Sequence, residues 1–319
     1  MNPGLQGYLA AVEESLGGAD ALDEAAGQLR AVADLVDGSP LLTSVLDDGA
    51  LPVASRRAVL DDLLAGRVRP EVARLVYQAV TVVPASEVTT SFHWLAARMA
   101  EAAERRRARP GEPPEEEPTL GRMAARNRVG GYAAAVFERV SVEELEQIED
   151  EIFRFARTVE AHRALRTAFG DRDLPVAERQ GLALDLLAGK VSEATARCCA
   201  YAVRGGRARD FVATLDSLVE AAAAARGWRV ARVRAAEPVA DDQQRELSRA
   251  LGTLTGRPVE LQVSLDPRLL AGAVVEVGDL LVDGSARHRL DQLGEQLVHL
   301  GPGPVTLFTH PTPREEASG

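Results

Sequence analysis

Apolar residues recur at helical spacing through most of the chain. Leu145, Ile148, Ile152, Phe155 and Val159 alternate steps of three and four, which places them on one helix face. Around that stripe the pattern predicts six helices, at about Gly130–Val140, Val142–Val159, His162–Gly170, Val176–Leu187, Ser192–Val203 and Ala208–Arg226. Pro175 suits the start of the fourth, where a missing N–H costs nothing. Gly189 follows its last apolar turn as a stop, and Gly205-Gly206 breaks the chain before the sixth.

The same signals occur earlier in the chain. LPVASRRAVLDDLLAGRV (Leu51–Val68) matches LPVAERQGLALDLLAGKV (Leu174–Val191) at a spacing of 123 residues. That offset also pairs Leu22 with Leu145, Leu29 with Ile152, Val36 with Val159 and Leu95 with Leu218. One residue of slip pairs Gly7-Tyr8 with Gly131-Tyr132. Two copies are too few for a solenoid, so the reading is two related six-helix bundles, each with its own core.

Between them the run from Pro110, PGEPPEEEPT, is too rich in proline and glutamate to pack and reads as an extended linker. After Arg226 the period changes. Trp228–Ala236 and Val259–Leu265 alternate as half-exposed strands. Asp241–Leu254 is an amphipathic helix carrying Leu247, Leu251 and Leu254. Ala273–Val277 and Leu280–Asp283 read as a tight hairpin over Gly278-Asp279, a type II′ turn. Ser285 is placed to cap a following helix whose apolar face carries Leu290, Leu293, Leu297 and Leu300. The fold class is therefore mainly α: two bundles (1–109 and 128–226, joined by a linker at 110–127), a small α/β domain with a mixed sheet (227–300) and a loose tail (301–319).

Composition narrows the function. The net charge of −11 argues against nucleic acid, which is bound by clustered Lys and Arg. No apolar run approaches the roughly 18 residues needed to span a bilayer, and the first residues lack a basic segment followed by an apolar one. The expectation is a cytoplasmic chain that meets a membrane only through partners. Catalytic chemistry is hard to find. Cys198 and Cys199 are neighbours on a predicted helix and read as small buried hydrophobes. Ala188-Gly189-Lys190-Val191 lacks the earlier glycine and the Ser/Thr of a phosphate loop, since Leu184 and Val191 stand there. His93, His162, His288, His299 and His310 show neither metal-ligand spacing nor a nucleophile partner. No catalytic, cofactor or metal residue is assigned.

One motif is specific. Asp266, Pro267, Leu269, Gly272, Val274, Val275, Gly278, Asp279, Asp283, Gly284, Ser285, Arg289 and Leu290 fix a turn, a cap and a stripe together. The pattern resembles the C-terminal signature of the delta subunit of F-type ATP synthase, the oligomycin-sensitivity-conferring protein family. It departs at Ala271, where that family usually has glycine, and at Glu276, where a basic residue is common. Residues 128–300 together are similar to one whole delta subunit, and the first bundle to the extra helical domain of longer actinobacterial forms. The resemblance implies a non-catalytic stator subunit. It would link the α3β3 head, through N-terminal helices of the α subunits, to the b subunits of the peripheral stalk at the cytoplasmic face of the plasma membrane. It implies that the second bundle grips α in a groove along its first and fifth helices, including Tyr132 and Val136, and does so unchanged without Met1–Pro118. The residues alone also allow a free-standing acidic helical adaptor or scaffold unrelated to energy conversion.

Overall fold

The computed structural model describes residues 1–109, 120–227 and 229–283, apart from 256–258, 267, 268, 270, 278 and 279. The chain divides into two compact units, the first being Met1–Trp228 and the second beginning at Arg229.

The first unit is helical: α1 (Pro3–Leu16), α2 (Ala19–Asp37), α3 (Pro40–Asp47), α4 (Val53–Leu64), α5 (Pro70–Val82), α6 (Val88–Ala108), then α7 (Arg122–Phe137), α8 (Val142–Ala161), α9 (Arg163–Gly170), α10 (Val176–Leu187), α11 (Glu193–Gly205) and α12 (Phe211–Ala225). Adding 123 to the bounds of α3, α4 and α5 gives those of α9, α10 and α11, and short 3-10 turns at Ala85–Glu87 and Ala208–Asp210 obey the same offset. The caps correspond too. Gly66 and Gly189, just past α4 and α10, take φ of +69° and +68°, a left-handed turn that glycine reaches without a Cβ clash.

The cores follow the periodic stripes: Leu22, Leu29, Ala33 and Val36 of α2 are buried, as are Leu145, Ile152, Ala156 and Val159 of α8. The two helical sets are not insulated from each other. α1 packs mainly on α7, not on its own set. α7 also differs from the expected Gly130–Val140. It begins at Arg122, inside the stretch read as linker, because RMAAR is composed of good helix formers. Gly130-Gly131 looks like a helix start in the sequence, yet lies in the helix interior.

The second unit holds a mixed four-stranded sheet in the order β2-β1-β3-β4, with β1 (Arg229–Ala235), β2 (Val259–Leu265), β3 (Ala273–Val277) and β4 (Leu280–Asp283). β1 runs parallel to β2, with Val233 opposite Val263, and antiparallel to β3, with Val233 opposite Val275. β3 and β4 pair antiparallel, with Val277 opposite Leu280, as the hairpin reading requires. The crossover α13 (Asp241–Thr255) covers the sheet with Leu251 and Leu247, against Ala231, Val233, Val259 and Val275. The turn residues, the helix expected after Ser285 and the tail lie outside the described residues.

Candidate functional site

The helix pair α1–α7 organises the first unit. A Cβ on Gly7 would lie 1.7 Å from the Arg128 carbonyl oxygen, and one on Gly131 would lie 1.9 Å from that of Gly4. Only glycine permits so close a backbone approach. The two contacts are one contact repeated with roles exchanged, since Gly4 and Gly7 stand 124 residues before Arg128 and Gly131. Polar contacts repeat the exchange. The Tyr8 hydroxyl donates to Glu138 Oε2, and the Tyr132 hydroxyl donates to Glu14 Oε2 at 2.7 Å. Burial, then the neighbouring carboxylate, push both phenols up, so both stay protonated as donors. Glu14 also accepts from Arg197 Nε at 3.1 Å, which ties α1 to α11. Arg128 is buried and donates through Nε and Nη2 to the Gly205 carbonyl, at 2.9 and 2.7 Å, fixing α7 to the C-terminal end of α11.

Beside this crossing lies a cavity of about 340 Å³. Its floor is apolar, with Ala11 and Val12 from α1, Ala135, Val136 and Val140 from α7 and its following turn, and Ile148 from α8. α11 closes the far side with Ser192, Glu193, Ala194 and Arg197, and Arg74 of α5 and Arg139 stand at its edge. The N-terminus of α11 is held by Glu151 of α8, which accepts from Ser192 N, Ser192 Oγ and Thr195 Oγ1 at 2.9, 2.9 and 2.6 Å. Burial works against the Glu151 carboxylate, but these donors hold it below the ordinary value of 4.5.

Of the two groove residues that the family resemblance implied, Val136 lines this cavity. Tyr132 lies beneath α1, with its ring stacked on Tyr201 at 4.0 Å. Sequence reading did not find the wall from α1, although the pairing of Gly7-Tyr8 with Gly131-Tyr132 was its signal. Gly272 precedes β3 at φ +85°, its carbonyl accepting from Ala236 N at 3.0 Å, and Asp283 ends β4 opposite Val274. Gly278, Gly284, Ser285, Arg289 and Leu290 lie outside the described residues.

Nothing in this geometry resembles catalytic machinery. The thiols of Cys198 and Cys199 are buried, which pushes Cys198 up to about 12 and Cys199 well above its ordinary value, so neither is a nucleophile at neutral pH. Lys190 donates from Nζ to the Leu186 carbonyl at 2.9 Å, a helix-end contact. His93 pairs with Asp37 at 2.8 Å on the surface. Among the described residues, no cluster of His, Cys, Asp and Glu could hold a metal, and no helix is long and apolar enough to cross a membrane.

Comparison with known proteins is consistent with this picture. The family model for the ATP synthase delta (OSCP) subunit matches residues 129–297. ATP synthase subunit delta of Salinispora arenicola is 32% identical over 289 residues, 90% of this chain and 91% of that protein. The subunit delta of Streptomyces avermitilis is 32% identical over 82% of this chain and 87% of its own length. That of Corynebacterium urealyticum is 39% identical over 155 residues, 48% of this chain and 56% of that protein.

Proposed function

Because the chain belongs to the ATP synthase delta (OSCP) subunit family, a structural component of the synthase, we propose that it is the stator link between the catalytic head and the peripheral stalk. On this reading the helical unit holds the α3β3 head by N-terminal helices of the α subunits. The small α/β unit holds the membrane-anchored b subunits. The assembly works at the cytoplasmic face of the plasma membrane, and the link stops the head from turning with the rotor, so that proton flow drives ATP synthesis. We further read the helical unit as an internal duplication of a six-helix bundle, on the strength of the shared offset in element bounds and left-handed caps.

The observation that carries the reading is the cavity along α7, α8 and α11. A helix with its side chains is about 10 Å across with a 5.4 Å pitch, roughly 400 Å³ per turn. The cavity, at about 340 Å³, is smaller than one such turn. It suits the apolar side chains of an amphipathic helix lying across its mouth, the helix-in-groove mode of recognition. Steady mechanical load is borne by broad contact and needs no reacting groups.

Depletion of the chain from cells tests this. The expected result is membranes that lose the α3β3 head and proton-coupled ATP synthesis, while ATP hydrolysis persists in the soluble fraction. A head that stays bound and coupled would favour the adaptor reading.

A further inference from the structure

The cavity has a wall that the second helical set does not supply. Ala11, Val12 and Ser15 stand on α1, and their counterparts at the 124-residue offset line the same cavity, Ala135 and Val136 from α7 and Arg139 from the turn after it. We propose that the partner groove is a composite of both helical sets, with α1 as one of its walls, so that the first set is part of the binding site and not a spacer. This rests on the reading above that the groove receives an α-subunit helix. What is new is where the groove comes from.

Three observations carry it. First, α1 is seated on α7 by contacts that leave no slack: the two glycine approaches and the two tyrosine–glutamate bonds. Second, Glu14 reaches past α7 to Arg197, so α1 braces the first and fifth helices of the second set, the two elements that border the groove. Third, the charges that line the cavity leave one cation and one anion available. Arg197 is engaged by Glu14, Arg74 by Glu71 and Glu144 by the Ser141 N–H, whereas Arg139 and Glu193 are exposed and form no ion pair among the described residues. The occupant is therefore an amphipathic helix that puts apolar side chains between α1 and α7, with an acidic residue facing Arg139 and a basic one facing Glu193. A chain lacking Met1–Pro118 would lose that wall and uncover Tyr132, so binding unchanged by that deletion is no longer the expectation.

The test uses the full chain and a synthetic peptide of the N-terminal helix of the α subunit encoded with it, with affinity read by calorimetry. Ser15→Trp narrows the groove from α1 and Ala194→Trp from α11. Both positions are half-buried, and Ser15 Oγ bonds only within its own helix, to Val12 O at 2.9 Å. Thermal melting checks the fold, with Ser15→Lys as the substitute if the tryptophan variant melts early. The expected result is binding at least tenfold weaker in both variants. Wild-type affinity in the α1 variant, with loss in the α11 variant, overturns the composite groove and leaves the partner reading standing. The reverse pattern overturns the composite as well, because a shared groove must feel both. A wild-type chain that ignores the peptide overturns the partner reading itself and the inference with it, whereas two variants that bind it normally overturn this groove as the site, and with it the inference, and leave the α-subunit partner standing.

Discussion

The two helical sets place their helices alike and fill them differently. Phe155, Phe169 and Phe211 form a ring cluster in the second set, with Phe169 and Phe211 stacked at 4.5 Å. The residues 123 positions earlier are Val32, Leu46 and Val88, all buried. The second set carries the Glu149–Arg226 ion pair, with both side chains buried, where the first carries Ala26 and Ala103, also buried. The first set holds the start of its fifth helix through Gln28, whose Oε1 accepts from Arg69 N at 2.8 Å, where the second uses the ionised Glu151. Matching helix bounds thus persist across large changes of core chemistry and side-chain volume, as long as the polar groups that are buried find partners.

The ion pair offers the largest test of that contrast. Arg226→Ala takes the guanidinium from the buried Glu149 and is expected to cost about 3–5 kcal/mol in urea denaturation, and Glu149→Ala less, because Arg226 keeps Glu146 at 3.8 Å. Changing both copies the alanine pair of the first set and should cost much less than the sum. Single and double variants that are simply additive would mean that the two side chains do not act as a pair.

A smaller loss is expected at the shared crossing. Gly131→Ala drives a Cβ into the Gly4 backbone, and neither helix has a flexible side chain there that can yield. The expected cost is toward the upper end of the roughly 1–3 kcal/mol typical of overpacking, read as a lowered melting temperature. Gly7→Ala should do the same because the contact is reciprocal. If only one of them destabilises, the two sets do not share the crossing equally.

Much of this architecture was legible because it is local. Pro175 and Gly189 bracket α10 at the bounds read from sequence, and the apolar stripe of α8 is the buried face. The alternation in Trp228–Ala236 and Val259–Leu265 became two strands of a mixed sheet. The cavity was only half legible. Val136, a position that the family resemblance implied, lines it, whereas the wall from α1 depends on contacts more than 100 residues apart. Gly130-Gly131 was misread for the same reason. A glycine that admits a neighbouring backbone looks, along the chain, like one that marks a helix boundary. The buried pair Glu149–Arg226 joins residues 77 apart, and no spacing rule brings them together.

The smallest expected effect separates the two ways of holding the fifth helix. Glu151 is buried and its carboxylate is kept below 4.5 by donors from Ser192 and Thr195. A carboxylate whose folded pKa is depressed contributes stability that is complete above its unfolded pKa and is lost as pH falls through the lower folded one. Glu151→Gln keeps the shape, as Gln28 does in the first set, but removes the charge. At neutral pH it should cost about 1 kcal/mol, the scale of a single hydrogen bond. The variant should then lose less stability than the wild type between pH 5 and the acid unfolding limb, so that the two denaturation curves converge as the wild-type carboxylate takes up its proton. Gln28→Glu should add a slope of the same sign as that of Glu151, with stability lost towards acid, because a carboxylate there would accept from the N-terminus of α5. Parallel curves for Glu151→Gln and wild type would show that the charge contributes nothing, and that the two helical sets hold their fifth helices by equivalent neutral hydrogen bonds.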